Sequence, residues 1–510
     1  MLRSILTVGG WTMASRVLGF LRDIMIAAML GAGPVADAFF VANKLPNLFR
    51  RLFGEGAFNA AFVPSFSGLL AGEGLDSARR FAAEATSVML FWLLGITVVF
   101  ELFMPVVLLL LAPGFHSDPA KFATAVELSR ITFPYMPLIC LTALFSGVLN
   151  GLDRFAAAAA APVIYNLTSI GFMLGLAGLV PTTGHALAWG VSASGVFQLA
   201  LLVWAVRHAG MKFTLPRPRL TPQMRLLFRR MAPGLLGAGV TQLNLAVDTI
   251  ISTLLPNGIV SILYYADRIN QLPLGTIGVA VGIALLPTLS RQAQSGDEAG
   301  ATATLNRAIE YALALTLPAT LALLTIPAPI LSVLFERGAF TAEDVRLSAQ
   351  ALAAYASGLP AFVLVKVLIP GFFARGDTAM PVKIGTACVV LNLALNIAFV
   401  VPLAHLGPPL SSAVAAWANV GALAFVLMRR GHMVIDAALL RVVPRMLAAG
   451  AVMVIALIAL RIVVYEPLAA SRLLRWAGLG ALVLGGSIAY GIAGQLLGAF
   501  DIRTLARRRR

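Results

Sequence analysis

The sequence predicts an all-α polytopic membrane protein with about fourteen transmembrane helices, forming two pseudo-symmetric six-helix lobes plus two extra C-terminal helices. Of its 510 residues, 59% are hydrophobic and only 12% are charged, which leaves too little polar surface for a soluble protein of this length. Apolar runs long enough to cross about 30 Å of hydrocarbon recur along nearly the whole chain. Because these runs are continuous rather than alternating, they indicate helices and not a β-barrel.

The predicted helices follow one another with short connections. They span residues 5–30, 35–70, 86–112, 126–149, 156–180, 185–207, 229–255, 260–289, 307–335, 347–372, 380–402, 408–429, 443–465 and 476–499. We expect the long second and eighth helices to be broken at Pro46 and Pro273, because proline removes an intrahelical hydrogen bond.

Lysine and arginine are distributed unequally between the two sets of loops. One set, together with both termini, carries most of them, including the terminal run RRRR. The other set has Lys121, Arg130, Arg337, Arg346, Arg472 and Arg475. The positive-inside rule therefore predicts that both termini are cytoplasmic. The net charge of +16 reflects this asymmetry, and we interpret RRRR as a topology anchor rather than a nucleic-acid-binding tail.

The chain repeats itself at an offset of about 225 residues. LGAGPVADAFFVANK (30–44) corresponds to LPNGIVSILYYADRI (255–269), and FVPSFS (62–67) corresponds to LLPTLS (285–290). The repeat of six helices predicts an N-lobe (1–215), a C-lobe (216–435), and a segment 436–510 with helices thirteen and fourteen and the basic tail. A parallel duplication of this kind is typical of alternating-access transporters.

Motifs for catalysis or for metal binding are missing from the sequence. Cys140 and Cys388 lie inside apolar helices, and the five histidines are scattered. There is no phosphate-cradling glycine loop and no nucleophile constellation. A membrane enzyme such as a polyprenyl-linked sugar transferase would need a carboxylate or metal cluster and a sizeable loop. We therefore expect no enzyme activity, no metal and no cofactor.

Several charged residues fall inside predicted helices, where each costs about 2.5–3.5 kcal/mol at a helix centre. They are Arg16, Arg22, Asp23, Asp37, Lys44, Arg50, Arg51, Glu55, Asp248, Asp267, Arg268 and Lys366. Arg51 and Glu55 are four residues apart and are expected to pair, whereas the neighbours Asp267 and Arg268 point about 100° apart.

Removing plausible pairs leaves four arginines without an expected partner: Arg16, Arg22, Arg50 and Arg268. Unpaired guanidinium groups do not face lipid, so we predict that these four line a water-filled cleft and bind an anionic substrate through phosphate or carboxylate oxygens. The alternative is structural: the charges pair with one another or extend to the membrane interface.

Three stretches closely resemble the MurJ (MviN) family of lipid II flippases, within the superfamily of multidrug and oligosaccharide-lipid exporters. They are SRVLGFLRD (15–23), DAFFVANKLPNLFRRLFGEGAFNAAFVP (37–64) and YYADRINQLP (264–273). The resemblance covers essentially the whole chain. It implies transport of the undecaprenyl-pyrophosphate-linked disaccharide-pentapeptide from the inner to the outer leaflet of the bacterial cytoplasmic membrane, for peptidoglycan synthesis, cell wall biogenesis and cell shape.

By motif position, the resemblance places the family's cavity arginines on Arg16, Arg22, Arg50 and Arg268. It implies a gating or pairing role for Asp37 and Glu55, and we place Asp23, Arg51 and Asp267 in the same group. Helices thirteen and fourteen of such proteins form a lipid-facing groove for the polyprenyl tail.

The implied mechanism is alternating access. The expected partners are the lipid-linked substrate and membrane lipids, with no nucleic acid, and we expect a monomer because nothing in the sequence demands an oligomer. The membrane potential favours outward movement of an anionic head by about 2.3 kcal/mol per charge per 100 mV. A monovalent cation at Asp248 and Asp377 could add to this, unless Asp248 simply bonds to Asn244. The alternative functions are export of another polyprenyl-pyrophosphate oligosaccharide and multidrug antiport within the same superfamily.

Overall fold

The computed structural model describes residues 2–53, 57–211 and 215–500. Within these ranges the chain is helical apart from short turns, and no strand occurs in them. The prediction of an all-α fold is therefore confirmed.

Twenty α-helices are numbered in chain order. The first ten are α1 Leu2–Leu30, α2 Pro34–Phe53, α3 Ala57–Gly72, α4 Leu75–Leu102, α5 Met104–Leu111, α6 Pro119–Thr132, α7 Tyr135–Gly151, α8 Ala156–Gly175, α9 Thr183–His208 and α10 Pro222–Thr253. The others are α11 Ile259–Gln294, α12 Glu298–Thr325, α13 Pro327–Phe335, α14 Ala342–Ser357, α15 Leu359–Phe373, α16 Ala379–Leu403, α17 Gly407–Arg429, α18 Ala437–Leu460, α19 Glu466–Leu468 and α20 Arg472–Leu496. A π-helical turn, Arg461–Tyr465, joins α18 to α19.

Proline divides some predicted helices but not those where we expected it. Helix α2 runs through Pro46 and α11 runs through Pro273, so the predicted breaks at these residues were wrong. Breaks occur instead where proline begins a new helix, as Pro327 begins α13, because the first turn of a helix does not need its backbone N–H.

Nine segments of the described residues are long and apolar enough to cross a membrane. They are Leu75–Leu102, Pro119–Gly151, Ala156–Gly175, Thr183–His208, Glu298–Thr325, Ala342–Phe373, Ala379–Arg429, Ala437–Leu468 and Leu473–Leu496. Helices α1, α2, α10 and α11 are not among these segments of the described residues. The total of fourteen crossings stays a prediction.

The chain divides into two compact units. The first contains the residues up to Ser261 together with the segment Arg337–Phe340, and the second contains Ile262–Glu336 and the chain from Thr341 onward. The predicted lobe boundaries at 215/216 and 435/436 come from the sequence duplication and stay predictions.

Close helix contacts build the first unit. A Cβ at Gly190 of α9 would lie 3.2 Å from the Cα of Ser169 on α8, so glycine allows the two helices to pack closely here. The end of α1 is capped by Gly31, whose φ of +66° suits glycine. The backbone N–H of Ala339 donates to the last-turn carbonyl of Ala28 at 2.8 Å, which satisfies an acceptor that α1 itself leaves open.

The second unit is built around α12. Leu305 and Ile309 of α12 belong to an apolar core with residues of α15 and α17. Helices α18 and α20 pack against each other through a second cluster that includes Met453, Leu457 and Leu482. The two helices predicted to lie outside the duplication thus belong to this unit.

Candidate functional site

Arg22 and Asp23 are adjacent on α1 and bind each other. The guanidinium Nη2 lies 2.8 Å, and Nε 3.2 Å, from the Oδ1 atom of Asp23. Sequence analysis counted Arg22 among the arginines without a partner, and this was wrong, because the long side chain folds back over its neighbour. The Asp23 carboxylate is fully buried, whereas the Arg22 side chain keeps 11% of its surface exposed.

Two residues of α8 also contact Arg22. Its Nη1 donates to the Oδ1 atom of Asn166 at 3.0 Å, and its Cζ lies 5.0 Å from the ring centroid of Tyr165. The amide of Asn166 in turn donates to the backbone carbonyl of Ser15 at 3.0 Å, which ties α8 to α1. We call Ser15, Arg22, Asp23, Tyr165 and Asn166 the arginine bracket.

The arginine bracket holds the guanidinium of Arg22 in one position and leaves part of the side chain accessible to solvent. Sequence reasoning missed Tyr165 and Asn166. The signal that could have found them is an amide at position 166 in an otherwise apolar helix, because a buried amide requires partners.

Arg16 differs from Arg22 in its surroundings. It lies on the same helix, is exposed, and forms no hydrogen bond or ion pair within the described ranges. The predicted contact of Arg16 with substrate stays a prediction.

Helix α2 carries Lys44 and Arg50 on a polar run. Nε of Arg50 donates to Oδ1 of Asn47 at 3.0 Å, and Nδ2 of Asn47 donates to Oδ1 of Asn43 at 3.1 Å. Lys44 donates to the hydroxyl of Thr249 on α10 at 2.7 Å. Arg50 is half-buried. Its partner at this contact is a neutral amide of its own helix and not a carboxylate.

Only one residue of the expected Arg51–Glu55 ion pair lies among the described residues. Arg51 is half-buried near the end of the helix. Glu55, its predicted partner and a predicted gating residue, lies outside the described residues. The Arg51–Glu55 pair therefore stays a prediction.

Asp37, at the start of α2, lies in a buried polar cluster. Its Oδ2 accepts from the Nζ of Lys121 at 2.7 Å and from the backbone N–H of Gly258 at 2.7 Å. Its Oδ1 accepts from the backbone N–H of Ser261 at 2.9 Å and from the Ser261 hydroxyl at 2.6 Å. Lys121 also donates to Oδ1 of Asn257 at 2.8 Å. We call Asp37, Lys121, Asn257, Gly258 and Ser261 the buried polar cluster.

The buried polar cluster meets the requirement that charges removed from water be fully hydrogen-bonded. Asp37 is 0% exposed and Lys121 is 5% exposed. The carboxylate also lies at the N-terminus of α11, where the helix dipole favours negative charge. The predicted pairing role of Asp37 is thus observed, with a partner that sequence analysis had assigned to a loop.

Lys121 was missed because sequence analysis counted it as a topology charge. It lies in the first turn of α6, whose N-cap Asp118 accepts from the Lys121 backbone N–H at 3.1 Å. Its ammonium also lies 4.1 Å from the ring centroid of Phe115. The cap and the aromatic ring turn the lysine side chain inward.

The predicted residues of the second unit have other surroundings. Asp267 and Arg268 are half-buried on α11, and Asp267 accepts a hydrogen bond from Gln271, one turn along the helix. The predicted roles of both residues stay predictions.

The two aspartates of the predicted cation site occupy different settings. Asp377 pairs with Arg430 at 2.6 Å and accepts from the backbone N–H of Met380 at 3.0 Å, so its carboxylate is held at the start of α16. Asp248 is half-buried on α10, next to the Thr249 that binds Lys44. No group of metal-ligating side chains occurs in the part of the chain that the structure describes.

The arrangement can bind an anion at a fixed guanidinium in the first unit. A sequence model of lipid II flippase MurJ matches residues 26–475, which is most of the chain. The chain belongs to the lipid II flippase MurJ family. The probable lipid II flippase MurJ of Rhizobium tropici is 45% identical over 99% of this chain and 96% of that protein. The lipid II flippase MurJ of Burkholderia cenocepacia is 37% identical over 84% of each chain.

Solved structures show the same fold. A lipid II flippase MurJ in an inward closed conformation aligns with a TM-score of 0.79 at 23% identity, covering 96% of this chain and 98% of that one. An inward-facing multidrug transporter of the MATE family aligns with a TM-score of 0.68 at 15% identity, covering 83% and 97%. The prediction of the MurJ family is confirmed by the sequence model and by these relatives.

Proposed function

We propose that this protein moves lipid II, the undecaprenyl-pyrophosphate-linked disaccharide-pentapeptide, from the inner to the outer leaflet of the bacterial cytoplasmic membrane by alternating access. The observation that carries the proposal is membership of the lipid II flippase MurJ family over residues 26–475. The transported head group supplies precursor for peptidoglycan synthesis, and the protein acts as a transporter and not as an enzyme.

The arginine bracket gives this function a chemical basis. A guanidinium donates to two oxygens of one phosphate at once, and it is favoured over an ammonium for that geometry. Arg22 is fixed by Asp23, Asn166 and Tyr165, so little side-chain entropy is lost when it binds. Arg16, exposed on the same helix, is able to move toward the phosphate. Arg50 and Arg268 are included on the sequence evidence.

The buried polar cluster is proposed as a gate on the outer side of the first unit. It joins the beginnings of α2 and α6 to the turn before α11 through one carboxylate. Outward release of the head group requires that such a connection open. Opening would expose Asp37 and Lys121 to water, which hydrates both charges and limits the cost of separating them.

The energy source follows from the charge of the substrate. A negative head moving outward in a cell with a negative interior gains about 2.3 kcal/mol per charge per 100 mV. We propose that a monovalent cation contributes through Asp248. Replacing Asp248 by Asn should reduce the sodium dependence of transport, with Asp377→Asn as the matched control, because Asp377 is held by Arg430 and Met380. Unchanged sodium dependence in Asp248→Asn would remove the cation proposal and leave the rest intact.

We propose that both termini are cytoplasmic and that the protein acts as a monomer. The orientation is supported by the distribution of lysine and arginine. A thiol-reactive probe applied to intact cells should fail to label a cysteine placed at the N-terminus, and labelling there would contradict the orientation.

The function is tested in cells that depend on this protein for growth. An externally added enzyme that cleaves lipid II measures the amount in the outer leaflet. We expect outer-leaflet lipid II to fall on depletion of the protein and to return on re-expression. Unchanged outer-leaflet lipid II on depletion contradicts the proposal. A selective loss of another polyprenyl-pyrophosphate oligosaccharide would assign the protein to that substrate instead.

A further inference from the structure

A cavity of about 650 Å³ opens on the surface of the first unit between α6 and α9. Helix α6 contributes Phe122, Glu127 and Arg130, and α9 contributes His185 and Trp189, one turn apart. None of these residues belongs to the arginine bracket or to the buried polar cluster. The cavity therefore needs an explanation separate from head-group transport.

Two opposite charges at the cavity do not neutralise each other. Glu127 and Arg130 are three residues apart on α6, a spacing at which opposite charges usually pair. Within the described ranges they form no ion pair with each other. Arg130 instead donates from Nε to the backbone carbonyl of Glu101 at 3.3 Å, which directs it away from Glu127. A carboxylate and a guanidinium thus line one cavity side by side.

His185 lies next to the Glu127 carboxylate on the protein side of the cavity. It is 5% exposed, and its Nδ1 lies 2.8 Å from the hydroxyl oxygen of Thr182, at the N-cap position of α9. Its Nε2 lies 3.3 Å from Oε1 of Glu127, but this buried nitrogen makes no well-aligned hydrogen bond within the described residues. The Glu127 side chain is 60% exposed, so it faces both the imidazole and the cavity.

The remaining wall of the cavity is apolar and aromatic. Phe122 and Val180 line it, and Trp189 is half-exposed beside it. Tryptophan is enriched where a membrane protein meets the head-group region. On the orientation proposed above, the N-terminal ends of α6 and α9 are their outer ends, which places the cavity at the outer leaflet.

We propose that this cavity binds a phospholipid with a primary ammonium head group, of the phosphatidylethanolamine class. Arg130 binds the phosphate, Glu127 binds the ammonium, and the apolar wall contacts the glycerol and the first methylenes. A primary ammonium has three N–H donors for the carboxylate, whereas the quaternary ammonium of phosphatidylcholine has none. A purely anionic lipid would leave Glu127 facing a negative charge.

The test uses the full-length protein in vesicles of phosphatidylcholine with equal amounts of phosphatidylethanolamine and phosphatidylglycerol. The protein is extracted from the vesicles, and the lipids that stay bound to it are counted by native mass spectrometry. We expect the wild type to retain phosphatidylethanolamine over phosphatidylcholine by about fivefold, the ratio given by one exposed charge pair at the upper end of its usual strength. Glu127→Gln should abolish the preference, and Arg130→Gln should lower retention of both lipids.

The matched control is Glu343→Gln, which neutralises an exposed glutamate that also lies three residues before an arginine, Arg346, away from the cavity. It should leave the lipid preference unchanged. Thermal unfolding of each variant confirms that it is folded. Equal retention of the two zwitterionic lipids by the wild type, a preference that survives Glu127→Gln, or selective retention of phosphatidylglycerol would each overturn the proposal. The measurement involves no lipid II, so its outcome is independent of the transport function.

Discussion

Asp37 and Lys121 form an ion pair at 2.7 Å although 84 residues separate them in the chain and both are almost entirely buried. Each charge has further partners, so the pair is satisfied rather than merely enclosed. Removing one partner of such a pair costs far more than removing both, because it leaves an uncompensated charge in the interior. It is therefore suited to hold two helix starts together in one state and to release them in another.

Replacing Lys121 by Met should lower the free energy of unfolding by about 3–5 kcal/mol, because an uncompensated Asp37 carboxylate is left in the interior. Thermal or denaturant unfolding in detergent measures the change. Adding Asp37→Asn to Lys121→Met should recover much of the loss, since the remaining group is neutral. The control Arg79→Ala, which breaks an exposed pair with Asp76, should cost at most about 1 kcal/mol. Equal effects of Lys121→Met and Arg79→Ala would contradict the buried pair.

Replacing Asn166 by Leu should reduce transport without removing any cation. The amide of Asn166 positions Arg22 and ties Ser15 to α8, so its loss releases the guanidinium from its fixed place. We expect transport to fall by about tenfold, the effect of losing one charge-assisted hydrogen bond of ordinary strength. Outer-leaflet lipid II and initial rates at several precursor levels provide the measurement. Asn166→Asp should restore the contact to Arg22, and a failure of that variant to exceed Asn166→Leu would argue against a positioning role.

Replacing Arg16 by Ala should lower transport and leave stability nearly unchanged. Because Arg16 is exposed and makes no polar contact within the described residues, the free energy of unfolding should change by less than about 0.5 kcal/mol. Transport should decrease, since a guanidinium that we propose to contact the phosphate is lost. The two measurements are made on the same purified variant. Loss of stability, or unchanged transport, would show that Arg16 serves the fold or lipid contact instead.

The Asp377–Arg430 pair should make stability depend on pH in a defined direction. The side-chain hydrogen bond from Arg430, together with that from the Met380 backbone, lowers the pKa of Asp377 below its ordinary value. A lowered pKa stabilises the fold above the ordinary carboxyl pKa of about 4, and the contribution is lost as pH falls through the folded-state value. The difference in melting temperature between wild type and Arg430→Ala should thus be largest near neutral pH and vanish in acid. A difference that grows in acid would contradict this assignment.

The fold class could be predicted from the sequence, because the mean hydropathy of a segment depends on many residues and changes little when one of them is misjudged. It also singled out the helices that carry charge, α1 and α2 among them. Local proline effects were less predictable. Pro46 and Pro273 lie within continuous helices, since neighbouring helices can support a helix that has lost one hydrogen bond.

The partners of charged residues could not be derived from spacing along one helix. Arg22 bonds to its neighbour Asp23 and to Asn166, which is 144 residues away. Lys121 appeared to be a loop charge until α6 placed it beside Asp37. Long side chains and tertiary contacts decide such pairs, and neither follows from helical periodicity alone.

The most direct test of the central claim is the outer-leaflet accessibility of lipid II in cells that rely on the Arg22→Ala or Arg50→Ala variant. The exposed Arg79→Ala variant is the matched control, because it also removes one arginine of the first unit. Variant and control proteins are compared at equal amounts in the membrane. We expect accessible lipid II to fall in both site variants and to stay normal in the control. Normal accessibility in Arg22→Ala and Arg50→Ala would contradict the claim that these arginines bind the transported head group.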